Sequence, residues 1–346
     1  MDKVSVVILN WNGCDMLRRF LPSVLQHSAG EGSVYVADNG STDGSADMLG
    51  REFPQVRVIQ LDGNYGYAGG YNRALQQVEA QYAVLLNSDV EVTPHWLAPM
   101  TTFMDSHPDV AACQPKLLSL RRRTSFEYAG ACGGYLDRYG YPFCRGRVMG
   151  TTEKDEGQYD DACYAFWATG AAMFVRMDDY REAGGLDDGF FAHMEEIDLC
   201  WRFRARGRRV ACVPQSTVYH LGAATLKKDD PKKTFLNFRN NLLMLYKNLP
   251  ETELRSVMAV RCMLDYVAAL QYLLTLQPAN AAAVLKARRA YHRMKPDYEA
   301  KRRDNMAKTV TERIEERMDG SLIVQYYLLG RKTFSALRGL SLPRPC

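Results

Sequence analysis

The stretch Asn87-Ser88-Asp89-Val90-Glu91 places an amide, a hydroxyl and two carboxylates directly behind the unbroken apolar run Tyr82–Leu86. Such a run fits a strand covered on both faces, and in open α/β sheets ligands bind beyond the carboxyl ends of the strands. Carboxylate oxygens there suit a hard cation such as Mg²⁺ or Mn²⁺, which keeps coordination places for substrate phosphates. A second stretch, "VADNGSTDGS" at 36–45, ends another apolar run with Asp38 and Asn39. The Ser41, Thr42 and Asp43 behind it are accounted for by a turn and a helix N-cap. The third sets Glu195, Glu196 and Asp198 within four residues, just ahead of Trp201 and Arg202. Acids at a helix start favour the positive end of its dipole. Crowded together they also repel, which raises one pKa toward the range of a general base. His220 closes a further apolar run in "VYHLG" and alone reads as a structural histidine.

These groups need a scaffold. Residues 4–9, 33–39, 56–61 and 82–87 have the composition of strands, and 15–27, 45–53, 67–78 and 95–107 the spacing of helices. This alternation predicts an α/β, Rossmann-like fold, a mostly parallel sheet with right-handed crossovers and flanking helices. From 110 to 158 the pattern loosens around Arg121–Arg123, Gly133-Gly134 and Tyr139, so short strands or a long loop are expected. Regularity returns at 166–185 and 195–207, and 208–222 reads as a last strand. Beyond about Leu226 the chain turns helical, which predicts a catalytic domain over 1–226 and a helical C-terminal extension over 227–346.

At 346 residues, 47% hydrophobic and 24% charged, the chain has the composition of a folded protein with room for that second unit. Its net charge of +4 hides an asymmetry. From Lys227 onward there are 23 Lys+Arg against 12 Asp+Glu, a net +11, leaving 21 against 28, a net −7, before it. A basic block favours an anionic partner: a membrane surface, a nucleic acid or a polyanionic substrate. The acidic first part and the lack of a nucleic-acid motif argue against nucleic acid. Nine scattered cysteines without a CxxC pair, and an N-terminus without a secretory pattern, predict reduced thiols and a cytoplasmic location. The first strand is followed by "NWNG", not GxGxxG, and no GxxxxGK[ST] occurs. Dinucleotide enzymes and P-loop proteins are thereby excluded, and a nucleotidyltransferase would want a basic, glycine-rich loop there.

Taken in order, "VSVVILNWNG", "VADNGSTDGS", "NYGYAGGYNRAL", "LLNSDVEV", "TGAAMFVR", "GGLDDGFFAHMEEIDLCWRFRARG" and "VYHLGAAT" run across about 220 residues. Together they resemble the inverting family-2 glycosyltransferases of GT-A fold, in subtype the bacterial rhamnosyltransferase-like enzymes of surface-polysaccharide assembly. "FRNNLLMLYKNLP" at 238–250 resembles the segment that follows the catalytic domain in bacterial members. The resemblance implies that Asn10, Asn12 and Asp38 hold the nucleotide of the donor, Asp38 near base or ribose. It places Asn64, Gly70 and Asn72 where the donor's nucleotide and sugar pass. The family's Asp-x-Asp motif falls on Asn87-Ser88-Asp89, with an asparagine for the first acid. This leaves Asp89 as the principal ligand of a Mg²⁺ or Mn²⁺ ion, Ser88 beside the donor, His220 as an additional ligand and Glu91 in support. Glu196 falls at the position of the catalytic base, with Glu195 and Asp198 as alternatives. Trp167, Thr169, Gly170 and His193 are expected on the acceptor side.

The chemistry agrees with those residue types. A carboxylate takes the proton of an acceptor hydroxyl, positive charge stabilises the departing diphosphate, and a single displacement inverts the anomeric centre. The expected donor is dTDP-rhamnose, with UDP-hexoses next. The expected acceptor is a growing bacterial surface glycan or a lipid-linked glycan. A catalytically inactive nucleotide-sugar-binding or scaffold protein of the same fold is the alternative that Asn87 invites; Asp89 and the Glu195-Glu196 pair argue against it.

The apolar stretch 257–276 is long enough for a bilayer but contains Arg261 and Asp265, and a charge near a bilayer centre costs roughly 2.5–3.5 kcal/mol. With Lys286, Arg288, Arg289, Arg293 and Lys295 behind it, the pattern fits a helix pair resting on anionic lipid at the inner face of the cytoplasmic membrane. A helical subdomain packed on the catalytic core or on a second protomer would leave the same pattern.

Overall fold

The computed structural model describes residues 2–222 and 230–340. The boundary expected near 226 and the last three residues of the "VYHLGAAT" motif lie outside the described residues.

Strands β1 (Asp2–Asn10), β2 (Ser33–Asp38), β3 (Arg57–Gln60) and β4 (Ala80–Leu86) alternate with helices α1 (Cys14–Ser28), α2 (Ser45–Glu52) and α3 (Gly66–Leu75). They pair in the order β4-β1-β2-β3, all parallel, as strands joined through helices must. Side chains alternate across the sheet. Val7, Ala37 and Leu85 point into one apolar layer with Tyr71 and Ala74 of α3, and Val6, Ile8, Val36 and Val84 into another with Leu17 and Leu21 of α1. The register aligns Asn10 with Asp38, so the two side chains meet at the carboxyl edge.

After β5 (Val90–Val92) and α4 (Leu97–Ser106), residues Val110–Ser119 form β6, a buried ten-residue strand. Short strands or a loop were expected here. Pro115 and Lys116 disguise the strand, and the Lys116 ammonium is neutralised by Asp155, at 2.9 Å, and Asp160. The chain then makes β7 (Gly134–Asp137), β8 (Pro142–Cys144), β9 (Arg147–Val148), β10 (Thr151–Thr152) and β11 (Cys163–Ala165). Strand β12 (Ala172–Arg176), α5 (Met177–Glu182), α6 (Glu195–Ala205) and β13 (Arg209–His220) follow. Strand β12 inserts antiparallel between β4 and β6, while β13 runs parallel to β6 and pairs antiparallel with β5 and β11. The sheet is therefore parallel through its first four strands and mixed beyond β4. A small second sheet, β10-β9-β8-β7, is completed by β14 (Arg317–Met318) from the end of the chain.

Helices α7 (Pro231–Asn248), α8 (Glu251–Leu274), α9 (Pro278–Met294) and α10 (Glu299–Ala307) make up most of the C-terminal part. Asp230 caps α7 by accepting from Lys232 N, and Pro231 stands in its first turn. Helix α7 is bolted to α6 and the turn before it by buried charge: Lys247 Nζ lies 2.6 Å from Asp187 and 2.7 Å from Asp198, and Asn248 Nδ2 donates to Asp198 at 2.8 Å. On α8 the stripe bearing Arg261 and Asp265 faces the protein, and the apolar stripe faces outward.

Candidate active site

At the donor edge, the turns after β1 and β2 are stitched together. Asn10 Nδ2 donates to Asp38 Oδ1 and Ser41 Oγ, each at 3.2 Å, and Asn12 N donates to Ser41 Oγ at 2.9 Å. Thr42 N donates to Asn12 Oδ1 at 2.8 Å and Cys14 N to Asp43 Oδ2 at 2.9 Å. Ser41–Asp43 thus lock one loop to the other, a larger role than the turn and cap expected from their types. Asn12 reaches this position with φ of 51°, a conformation asparagine tolerates better than most residues. Asp38 is fully buried and also accepts from Gln60 Nε2 at 2.8 Å, so it shapes the wall through Asn10, Ser41 and Gln60. Asn64 is exposed and accepts from Asn39 Nδ2 and from Gly66 N.

Two residues expected along the donor path face elsewhere. A Cβ on Gly70 would lie 2.8 Å from the Leu9 side chain, so this glycine lets α3 close on β1. Asn72 accepts from Tyr180 Oη at 2.6 Å and from Leu186 N at 2.9 Å, and donates to Leu186 O and Asp188. Its amide is consumed in bracing the 186–188 turn.

The corner where a metal was expected forms where β4 ends beside β12 and β5 pairs with β13. Asn87 N donates to Ala171 O, and Leu221 N to Asp89 O, both at 3.0 Å. The side chains of Asp89 and His220, 131 positions apart, meet at 3.1 Å between Oδ1 and Nε2. On the other side of the ring, Nδ1 lies 3.6 Å from Glu127 Oε1. Burial pushes the His220 pKa down, but Asp89 and Glu127 more than reverse this and lift it to about 10. Burial likewise raises Asp89, and the His220 hydrogen bond and charge overcome it to leave a net lowering. The ring therefore carries a proton in this arrangement, which a cation binding at Nε2 would displace. Asn10 Oδ1 and Ser88 Oγ both flank the space above Gly13, so this corner adjoins the donor edge. Glu91 is paired with Arg123 at 2.6 Å on the surface. Among the described residues no set of three His, Cys, Asp or Glu is arranged around one ion. One carboxylate and one imidazole fit a divalent cation whose other places are filled by phosphate oxygens.

The third cluster sits at the start of α6. Phe191, His193 and Met194 have φ of 65°, 72° and 72°, three non-glycine residues in a strained region within four positions, a density typical of functional sites. The loop is held from both sides. Asn240 Nδ2 donates to the carbonyls of Phe190, Ala192 and His193 at 2.7–2.9 Å, and Phe191 O accepts from Tyr67 N at 2.7 Å. Glu195, Glu196 and His193 each keep a buried oxygen or nitrogen with no hydrogen-bond partner. Burial and the neighbouring Glu196 hold the Glu195 carboxyl well above the usual range, and burial pushes Glu196 up to about 7. Burial, then Lys233, lowers His193 to about 4, so this ring is neutral near pH 7. Tyr67, whose hydroxyl donates to Gly170 O at 2.5 Å, feels the charges of both glutamates. Gly170, Tyr67, Glu195 and Glu196 thus lie close together, while the His193 ring feels Lys233 instead.

Asp198, kept open as a base from its type and position, is excluded by its surroundings. It is fully buried, with Arg202 and Lys247 on Oδ2 and Asn248 on Oδ1. Trp167 and Thr169 are also framework. The indole Nε1 donates to Tyr135 O at 3.0 Å, and Thr169 Oγ1 donates to Ala129 O at 2.8 Å with both residues buried. Trp11, Gln60, Tyr67 and Glu127 were missed from sequence. Only Trp11, a large aromatic inside "NWNG" and 49% exposed, left a signal that could have been used.

A mixed α/β sheet flanked by helices, with further helices at the C-terminus, has the architecture of the GT-A fold. Residues 5–128 match the model of Glycosyl transferase family 2, and the chain carries a glycosyltransferase domain of that family. It is 25% identical over 262 residues to N-acetylglucosaminyl-diphospho-decaprenol L-rhamnosyltransferase of Mycobacterium tuberculosis, covering 70% of this chain and 84% of that one. It is 27% identical over 231 residues to the O-antigen biosynthesis protein RfbC of Myxococcus xanthus, covering 66% of this chain and 18% of that protein. Among solved structures, S. aureus TarS 1-349 in complex with UDP-GlcNAc superposes with a TM-score of 0.53 at 16% identity, over 88% of this chain and 89% of that one. GalNAc-T7 with UDP, GalNAc and Mn²⁺ superposes with a TM-score of 0.56 at 16% identity, over 71% and 48%. At such identities the structural likeness speaks for the fold alone.

Proposed function

We propose that this glycosyltransferase moves a sugar, with inversion, from a nucleoside-diphosphate donor to a hydroxyl of a bacterial cell-envelope glycan carried on a lipid, working at the cytoplasmic face of the membrane. The observation that carries the reading is the Glu196 carboxyl, with a buried oxygen free of partners and a pKa of about 7. A base of that pKa is half ionised at neutral pH, close to the optimum for proton transfer. Burial and the neighbouring Glu196 push the Glu195 carboxyl well above the usual range, which makes Glu196 the carboxylate proposed to act. Inversion needs no second catalytic carboxylate.

In the transfer, Glu196 accepts the proton of the acceptor hydroxyl as that oxygen bonds to the anomeric carbon and the bond from that carbon to the diphosphate breaks. In this reading His193 and Gly170 border the acceptor, and the neutral His193 Nε2, buried without a partner, hydrogen-bonds it. Asn10, Asn12, Asn64 and Ser88 line the donor's nucleotide path, with Asp38 bracing its wall from behind and Trp11 offering a ring for the base to stack on. A Mg²⁺ or Mn²⁺ ion held by Asp89 and His220 would supply positive charge to the leaving diphosphate. The rhamnosyltransferase likeness along most of that relative's length favours dTDP-rhamnose over UDP-hexoses and a polyprenyl-diphosphate-linked acceptor. In the test, Glu196→Gln keeps its affinity for dTDP-rhamnose in calorimetry while transfer falls by about 10²–10⁴-fold, and Asp89→Ala loses metal-dependent donor binding. Normal transfer by Glu196→Gln removes Glu196 as the base, and unchanged donor and metal binding by Asp89→Ala removes the metal assignment.

A further inference from the structure

Helix α8 is built inside out. Beyond Arg255 its charged residues are buried: Arg261 donates to Tyr139 O at 2.9 Å, and Asp265 is paired with Arg261 at 3.2 Å and with Arg288 of α9 at 2.7 Å. Its apolar residues are in the open, with Met263, Val267, Leu270 and Leu274 between 56% and 76% exposed and Tyr266 and Leu273 beside them. At 100° per residue, 263, 267, 270 and 274 fall on one face, opposite 261 and 265, and span ~16 Å of helix axis. Asp265 is the one acidic residue in sequence between Leu254 and Pro296, and it points inward. The neighbouring α9 exposes Lys286, Arg289 and Arg293, and the Arg288 guanidinium lies 5.5 Å over the Tyr266 ring, which joins the basic helix to the apolar stripe.

A soluble surface seldom leaves such a stripe uncovered. Helix α8 is long and apolar enough to cross a membrane, with a mean hydropathy of 1.4. Crossing, however, would tear Arg261 and Asp265 from their buried partners and place both near the bilayer centre, at high cost. A second copy docked stripe to stripe would bring together basic flanks with no acid between Leu254 and Pro296, other than the buried Asp265, to offset them. An anionic bilayer meets both needs, hydrocarbon for the stripe and phosphate for the flanks. We propose that the α8–α9 face is an in-plane docking surface for anionic membrane lipid, with the Met263–Leu274 stripe at the acyl boundary and Lys286, Arg289 and Arg293 among the head groups. Its purpose rests on the lipid-linked acceptor proposed above; its physics does not.

The test is flotation of the full chain with phosphatidylcholine vesicles, with and without phosphatidylglycerol, and with no acceptor lipid. The wild type is expected to float with the anionic vesicles. Leu270→Glu with Leu274→Glu should lower the bound fraction about tenfold or more, and Arg289→Glu with Arg293→Glu should erase the phosphatidylglycerol preference. Unchanged thermal unfolding and unchanged transfer to a water-soluble acceptor analogue certify that the variants are folded. A wild type that stays in the aqueous fraction, or variants that float as it does, overturns the proposal. So does a dimer in solution that Leu270→Glu with Leu274→Glu dissociates while the wild type ignores vesicles, which would give the face to a second copy. Flotation without transfer to any lipid-linked glycan would sink the acceptor reading and leave this surface standing.

Discussion

The donor edge and the base pocket are built on opposite terms. At the donor edge, Asn12, Asp38, Ser41 and Thr42 are linked by hydrogen bonds and Asn64 is paired with Asn39, with Asn10 Oδ1 the exception. In the base pocket, Glu195, Glu196 and His193 keep buried polar atoms unpaired, beside backbone held at positive φ. A saturated network is stable without ligand and presents a fixed shape. An unpaired buried polar atom costs about 1–3 kcal/mol, and it persists because surrounding structure over-determines it. Here that structure is α7, through Asn240 on three loop carbonyls and Lys247 on Asp187 and Asp198. The C-terminal helices thus hold the loop and helix that carry the carboxylate proposed as the base.

The contrast can be broken at its support. Asp198→Ala leaves Lys247 buried with half its compensation gone, and the expected loss is about 3–5 kcal/mol of stability, read from denaturant unfolding. A loss under about 1 kcal/mol would mean that the buried cluster is dispensable. Asn240→Ala releases the 190–194 loop without touching the base, so kcat should drop about 10²-fold while donor affinity in calorimetry stays put. Equal damage to both would show that the two regions are not independent. Ser41→Ala sharpens the other side. Loss of hydrogen bonds from the two loops should weaken donor binding by roughly 3–10-fold and leave kcat at saturating donor unchanged.

A further expected effect is a pH dependence of stability. Glu196 goes from an ordinary 4.5 to about 7 on folding, so between those values the native state holds more proton than the unfolded chain. Its contribution to stability therefore falls as pH rises through that window. Glu196→Gln should flatten the decline in unfolding free energy over that range; an unaltered slope would mean that the carboxyl titrates normally.

Much of this layout was legible beforehand, and the failures have physical causes. The alternation through residue 86 fixes four parallel strands, because each helix-length connection permits only a parallel return. Val110–Ser119 escaped because Pro115 and Lys116 violate the composition of a buried strand, and their compensation lies in Asp155 and Asp160, some forty residues away. Glu195, Glu196 and Asp198 are indistinguishable as acids in a first helical turn. Only the packing of Lys247 and Asn248 against one of them tells anchor from base. Gly70 and Asn72 stand inside a ligand-like motif yet serve α3 packing, since a motif specifies neighbours in sequence and not the direction of a side chain. The Asp89–His220 pair was expected, but Glu127 behind the ring was not, because no spacing rule links positions 127 and 220.

The most direct test of the central claim is the pH profile of kcat/KM for sugar transfer, in wild type and in Glu196→Gln. If Glu196 is the base, wild-type activity climbs tenfold per pH unit below about 7 and levels off above it, and the residual activity of Glu196→Gln lacks that limb. A wild-type profile flat across that pKa, or the same limb surviving in Glu196→Gln, would place the proton-accepting group elsewhere.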